Sequence, residues 1–155
     1  MANLAYVQRK LGRQDDALTL LETAYEGLHQ QNHWNPASLK AATNLAAMYL
    51  ARGEIDHAEK LYTDTLQESK QILGFDHPQT LDVQYGLAVV KLSRRQYDKA
   101  KQLLVEVLDS QRVQLEDDHP STLKTIHCLA LVHSCLLYTS PSPRDLSTSR
   151  MPSSA

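Results

Sequence analysis

Apolar residues recur along this chain at steps of three and four, the spacing that places side chains on one face of a helix. Ala17, Leu20, Leu21, Ala24 and Leu28 form one such stripe. Leu39, Ala42, Leu45, Ala46 and Tyr49 form the next, followed by Ile55, Ala58, Leu61, Tyr62, Leu66, Ile72 and Leu73. Leu81, Leu87, Ala88 and Leu92 continue the pattern, then Tyr97, Ala100, Leu103, Leu104, Val107, Leu108 and Leu115, and finally Leu123, Ile126, Leu129 and Ala130. The period-two alternation of a half-buried strand is absent. The pattern predicts helices over 3–11, 14–30, 36–51, 55–73, 78–93 and 97–115, and a last helix opening at Pro120. Gly12, Gly53 and Gly74 fall where helices should stop, and Pro36, Pro78 and Pro120 fall at first helical positions, where a missing N–H costs nothing.

These elements repeat. Pro36, Pro78 and Pro120 are 42 residues apart, as are Leu39, Leu81 and Leu123, and Leu45, Leu87 and Leu129. Ala17, Ala58 and Ala100 follow nearly the same step. A fixed period of this size marks a stacked-repeat architecture. Each unit is a helix, a short turn, a longer helix and a proline-started restart, and each buries its apolar stripes against its neighbours. The fold expected is all-α, an α-solenoid of stacked antiparallel helix pairs. The units are a partial one over residues 1–34, two whole ones over 35–76 and 77–118, and a partial one over 119–134. Leu4 and Ala5 match Leu45 and Ala46, so the first helix lacks its opening turns, and Met1 reads as an internal codon or the edge of a fragment.

The segment 135–155, CLLYTSPSPRDLSTSRMPSSA, breaks the pattern: leucine periodicity stops and Ser and Pro dominate. Cys135–Asp145 and Ser149–Ala155 can both be written in the codons of a transposase adapter used in short-read sequencing, in frame and separated by the length of an index. We therefore expect a non-native disordered tail and exclude it from the functional reading. Without Arg144, Asp145 and Arg150 the net charge moves from −2 to −3. A mildly acidic chain gives no electrostatic case for nucleic acid. No apolar run approaches the roughly 18 residues of a membrane span, so no membrane partner is expected. Cys128 is the one cysteine outside the tail, which favours a reducing, cytoplasmic setting.

Asn44-Leu45-Ala46, then Tyr49, Gly53, Ala58, Tyr62 and Leu66, resemble the tetratricopeptide repeat. The ordinary repeat is about 34 residues. The longer unit, with the joins LGFDHPQTL and LEDDHPSTL, resembles the kinesin light chain type, which also occurs in nephrocystin-like proteins and in the sensor arrays of signalling NTPases. The resemblance implies a scaffold that binds a protein partner's peptide or helix in a concave groove lined by the first helices of the pairs. It places Asn3 and Tyr6 of the first unit in that groove, with Lys40, Thr43, Asn44 and Ala47 of the second. Asp82, Tyr85 and Val89 of the third unit and Lys124 and His127 of the fourth complete it. An Asn amide can pair with a backbone donor and acceptor whatever the ligand's sequence. Asp82 and Gly86 stand where a carboxylate clamp of this family would need Lys and Arg, so such a clamp is not expected. The alternative role is the ligand-sensing repeat region of a signalling NTPase.

Three departures bear on these expectations. Arg95 sits where Gly12 and Gly53 sit, so its turn needs a non-glycine residue in a left-handed conformation or another geometry. Gly86 and Cys128 replace the Asn of Asn3 and Asn44, a change expected to affect the groove more than the fold. Uncapped ends exposing Leu4, Leu129 and Leu131 should favour self-association. A competing class is a hydrolase using His77 and His119. Asn35 fills their place in the first join, however, so helix capping is the local reading. No zinc spacing, phosphate loop or nucleophile motif is present, and neither a cofactor nor catalysis is expected.

Overall fold

The computed structural model describes residues 12–30 and 34–139. Six helices account for nearly all of them: α1 (Gln14–His29), α2 (Pro36–Ala51), α3 (Ile55–Ile72), α4 (Pro78–Ser93), α5 (Tyr97–Gln114) and α6 (Pro120–Thr139). No strand occurs among the described residues. The helix expected over residues 3–11, with its candidates Asn3 and Tyr6 and the apolar Leu4, lies outside them.

The joins open each first helix in the same way. Asn35 caps α2 through its side-chain oxygen, which accepts from the amides of Ala37 and Ser38, and the Ser38 hydroxyl accepts from the Asn35 amide in return. His77 and His119 take the same role with imidazole. Nδ1 of His77 accepts from the Gln79 amide at 3.1 Å, and Nδ1 of His119 from the Ser121 amide at 3.2 Å. The histidines at the joins are therefore engaged in ending backbone donors.

The turns inside the pairs are also alike. After α2, the Gly53 amide donates to Leu50 O and the Glu54 amide to Tyr49 O, a Schellman closure with Gly53 at φ 81°. After α4, Arg95 donates to Leu92 O and Gln96 to Lys91 O, with Arg95 at φ 59°. The missing glycine leaves the geometry unchanged and puts an arginine in the left-handed region. α6 ends differently. α2 and α4 stop after 16 residues, whereas α6 runs for 20 through the positions where the turn would fall, since Leu136, Leu137 and Tyr138 offer no turn residue. The expectation of disorder from residue 135 is thus corrected for 135–139, which are helical, and Leu136 packs on the neighbouring core.

Consecutive helices pack along the whole series, and α2 also touches α4, and α4 touches α6. The second helices of the pairs, α1, α3 and α5, make no comparable contact with one another. First helices are therefore closer together than second helices, so the stack curves with α2, α4 and α6 on its inner side. The core is a chain of three overlapping clusters. Ala17, Leu21, Leu45 and Met48 join α1 to α2; Ala46, Ala58, Tyr62, Leu66, Val83, Leu87 and Val90 join α2, α3 and α4; Ala88, Ala100, Leu104, Cys128 and Val132 join α4, α5 and α6. Ala17, Ala58 and Ala100 are all fully buried, as is expected where helix axes approach to roughly 8–10 Å.

Several side chains differ from the stripe reading. Ile72 and Leu123, expected inward, are exposed, because the end of α3 and the start of α6 lie at the rim of the stack. Leu129, expected on an exposed end, packs instead against the α4–α5–α6 cluster. Asp56 does not pair with Lys60 four residues on; it accepts from Arg94 of the next unit.

Candidate functional site

The 42-residue period sets the expected groove residues in rows across the inner helices. Lys40, Asp82 and Lys124 form one row, Thr43, Tyr85 and His127 a second, and Ala47 and Val89 a third that Leu131, expected on an exposed end instead, completes. Each row takes one residue from each of α2, α4 and α6, which lie side by side. Lys40, Asp82, Lys124 and His127 are exposed, while Thr43, Asn44, Ala47, Tyr85 and Val89 are half-buried. The half-buried members are also packing residues. Ala47 lies against the α2–α3–α4 cluster, and Tyr85 and Val89 lie against the α4–α5–α6 cluster. The Thr43 hydroxyl donates to Leu39 O within its own helix, and the Asn44 amide has no side-chain hydrogen bond among the described residues.

Charge alternates along the outermost row, Lys–Asp–Lys. Asp82 is exposed, yet partial desolvation by its inner-face neighbours raises its carboxyl pKa, while Lys124 and Lys40 pull it back down. Lys124 Nζ also stands 4.5 Å from the centre of the Tyr85 ring, a cation–π contact that fixes the ring from one side. Behind it, burial pushes the Tyr85 hydroxyl up to about 12, with a further contribution from contact with Cys128. Burial likewise raises the pKa of the Cys128 thiol, which is 5% exposed, so it behaves as a small core residue.

Gly86 requires a correction. Its position was expected to shape the groove, but it is buried, and a Cβ built there would lie 2.3 Å from Tyr62 Cε1 and 2.4 Å from Cζ. The glycine makes room for the ring of the preceding helix. One unit on, the equivalent pair is Leu104 and Cys128, a smaller side chain against a larger one, within a single cluster. The signal was present in the sequence as paired changes, Tyr62 for leucine and Gly86 for asparagine, but neither change is informative until the helices are placed together.

Sequence reasoning missed the polar ties between units. Gln79 Nε2 donates to Pro36 O at 2.8 Å, bridging α4 to α2 at the open end of the inner face. Within one unit, Gln84 donates to Glu106 at 2.7 Å, tying α4 to α5. Arg52 pairs with Asp15, and one unit later Arg94 pairs with Asp56, the same arginine position reaching the same aspartate position of the preceding second helix. Arg94 and Lys91 both meet Glu59, whose carboxyl is lowered chiefly by the Lys91 hydrogen bond. Among the described residues there is no group of three side chains able to hold a metal ion, and no helix is long and apolar enough to cross a membrane.

Comparison with known proteins agrees with this architecture. A model described as "Tetratricopeptide repeat" matches residues 38–112, and a second with the same description matches residues 1–23. Together they span more than half of the chain. The chain belongs to the tetratricopeptide repeat family. Its repeats are similar in structure to those of a Podosopora anserina putative kinesin light chain, described as nearly identical TPR-like repeats. A point variant of that protein superposes with a TM-score of 0.79 at 27% identity, covering 87% of this chain and 64% of the other. Its crystal structure without that substitution gives 0.79 at 24%, covering 95% and 79%. BtubC (BKLC) from P. vanneervenii shares the fold, with a TM-score of 0.77 at 20% identity, covering 87% of this chain and 54% of that one. The tetratricopeptide chain thus spans less than two thirds of the first and third of these structures. No curated protein matches it. The tetratricopeptide repeat is a scaffold typical of protein–protein interaction.

Proposed function

We propose that this array binds an extended peptide or a helix of a partner protein along the inner face of α2, α4 and α6. The observation that carries the reading is the alignment of Lys40, Asp82 and Lys124, and of Thr43, Tyr85 and His127, in rows across three adjacent helices. A preformed surface of this kind binds without first being ordered, which lowers the cost of association. Asn44 offers a donor and an acceptor to a peptide backbone, Tyr85 an amphipathic ring, and the alternating lysine and aspartate charges register. No role as nucleotide, metal or membrane binder is proposed for this face. The likeness to kinesin light chain repeats supports a motor–cargo adaptor as the specific form of this scaffold.

The test is a binding titration against peptides selected on the full chain from a random library, with thermal melts of each variant. Asn44→Ala removes one neutral hydrogen-bonding group and should weaken binding by about 0.5–1.5 kcal/mol, with little change in melting. Lys124→Ala should weaken binding and remove its salt dependence. Selected peptides that bind both variants as tightly as the parent would place the ligand elsewhere.

A further inference from the structure

A second departure from repeat symmetry lies on the opposite side of the stack. A cavity of about 370 Å³ opens between the second helices α1 and α3, with α2 as its floor. Glu22, Tyr25 and Glu26 enter from α1, Leu45 and Tyr49 from α2, and His57, Lys60, Leu61 and Asp64 from α3. Tyr49 lies nine residues from Lys40, two and a half turns along α2, so it points away from the inner groove.

The positions that line this space change one unit on. Shifting by the repeat, Tyr25 corresponds to Leu66, Tyr49 to Lys91 and His57 to Lys99, while Glu22 corresponds to Thr63 and Glu26 to Gln67. The scaffold therefore does not require the aromatic residues or the Glu22 and Glu26 carboxylates at these positions, whereas Asp64 is matched by an acid, Glu106. The first join holds three aromatic rings and three carboxylates, Glu22, Glu26 and Asp64, against one lysine. Its rings are already ordered. Tyr49 donates to Glu22 at 2.9 Å and packs 5.4 Å from His57; Tyr25 stacks on His29 at 5.3 Å, with Trp34 edge-on to His29 at 4.9 Å. The local field is negative. Burial first, then the Glu22 hydrogen bond and the charges of Glu22, Glu54 and Glu26, push the Tyr49 hydroxyl up to about 12, and Asp64 adds to the burial that raises Tyr25.

We propose that this cavity is a second binding site, which accepts an arginine side chain from a basic segment of a partner protein. The occupant must be cationic to match the carboxylates, and it must be organic, because these carboxylates do not converge as metal ligands do. A planar guanidinium stacks on tyrosine faces and meets carboxylates with parallel hydrogen bonds, a combination that a compact ammonium does not offer. Glu26 and Asp64 are exposed and, among the described residues, unpaired, so they can turn toward the guanidinium, while Glu22, held by Tyr49, fixes the wall. The site is independent of the inner groove, so a partner engaging both would contact the two faces of the stack.

The probe is the pentapeptide Ac-Gly-Gly-Arg-Gly-Gly-NH2, titrated into the full chain and followed by the ring resonances of Tyr25 and Tyr49. Its control is the same peptide with neutral citrulline in place of arginine. Saturable binding of the arginine peptide, with at least fivefold weaker binding of the citrulline peptide, is the expected result. The Glu26→Gln, Asp64→Asn double variant should weaken arginine binding at least fivefold without changing the melting temperature. His57→Lys, which copies the residue one unit on, should do the same by placing a like charge at the mouth. Asn44→Ala should leave this binding unchanged, which separates failure here from failure of the groove reading. Equal binding of both peptides, or unchanged binding in the acidic double variant and in His57→Lys, would overturn the proposal.

Discussion

The pair Tyr62 and Gly86 shows how a single repeat position is tuned by its neighbour. Tyr62 is 3% exposed, so its ring has nowhere to swing if a methyl group is added at residue 86. Gly86→Ala should therefore destabilise the chain by about 1–3 kcal/mol through overpacking, even though alanine is the better helix former. Adding Tyr62→Leu, the residue used one unit later, should recover much of the loss, and a double-mutant cycle in urea would read this coupling. If the two changes prove additive, the ring and the glycine are not in contact. The tyrosines also set an alkaline limit. Burial pushes Tyr49, Tyr62 and Tyr85 up to about 12 from 10.0. A neutral acid whose folded pKa is raised binds its proton more tightly when folded. Its contribution is complete below the unfolded value of 10.0 and is lost as pH rises through about 12. The urea midpoint should fall between about pH 10 and 12, and Tyr62→Phe, which removes the most buried of the three hydroxyls, should flatten that fall.

At the scale of elements, the turns and joins carry the repeat. Arg95 holds a left-handed conformation that costs a non-glycine residue roughly 1–2 kcal/mol. Arg95→Gly should raise stability by up to about 1 kcal/mol once the greater chain entropy of glycine is set against that relief. A thermal melt with no gain would show that the arginine side chain makes good the strain. The two arginine–aspartate rungs should differ from the Glu59 cluster. Asp15 and Asp56 have side chains 89% and 90% exposed, so Asp56→Asn should cost roughly 0–1 kcal/mol. Glu59 is 25% exposed and meets both Lys91 and Arg94, so Glu59→Gln, which leaves Lys91 at 17% exposure without its carboxylate, should cost more. Raising the salt concentration should erode the Asp56 effect first.

For the whole molecule, the surface of α6 governs behaviour in solution. Leu123, Leu131, Leu137 and Tyr138 are 51%, 47%, 78% and 91% exposed and fall toward one side of the helix. A face of this kind would stack on another helix pair or on a second copy. Sedimentation of the full chain should show a mean mass that rises with concentration, and Leu123→Glu with Leu131→Glu should hold it at the monomer. A parent chain that stays monomeric throughout the range would remove self-association through α6. The inner groove and the cavity between α1 and α3 make opposite demands on a ligand, one through backbone pairing and mixed charge, the other through a single cation.

Among the described residues the sequence alone determined the helices, apart from the run of α6 past residue 134, and with them the pairing and the stack, since a 42-residue period of apolar stripes, prolines and small residues admits few other arrangements. It also determined the capping role of His77 and His119, because asparagine fills the same place and both side chains can accept a backbone hydrogen bond. Tertiary structure decided which changes within the repeat matter and where. Gly86 belongs to packing because Tyr62 lies over it, Asp56 reaches Arg94 because the next unit brings that arginine closer than Lys60, and Tyr25, Tyr49 and His57 form one cavity because three helices converge on it. Periodicity specifies the face on which a residue lies, and each of these outcomes depends on what another helix presents to that face.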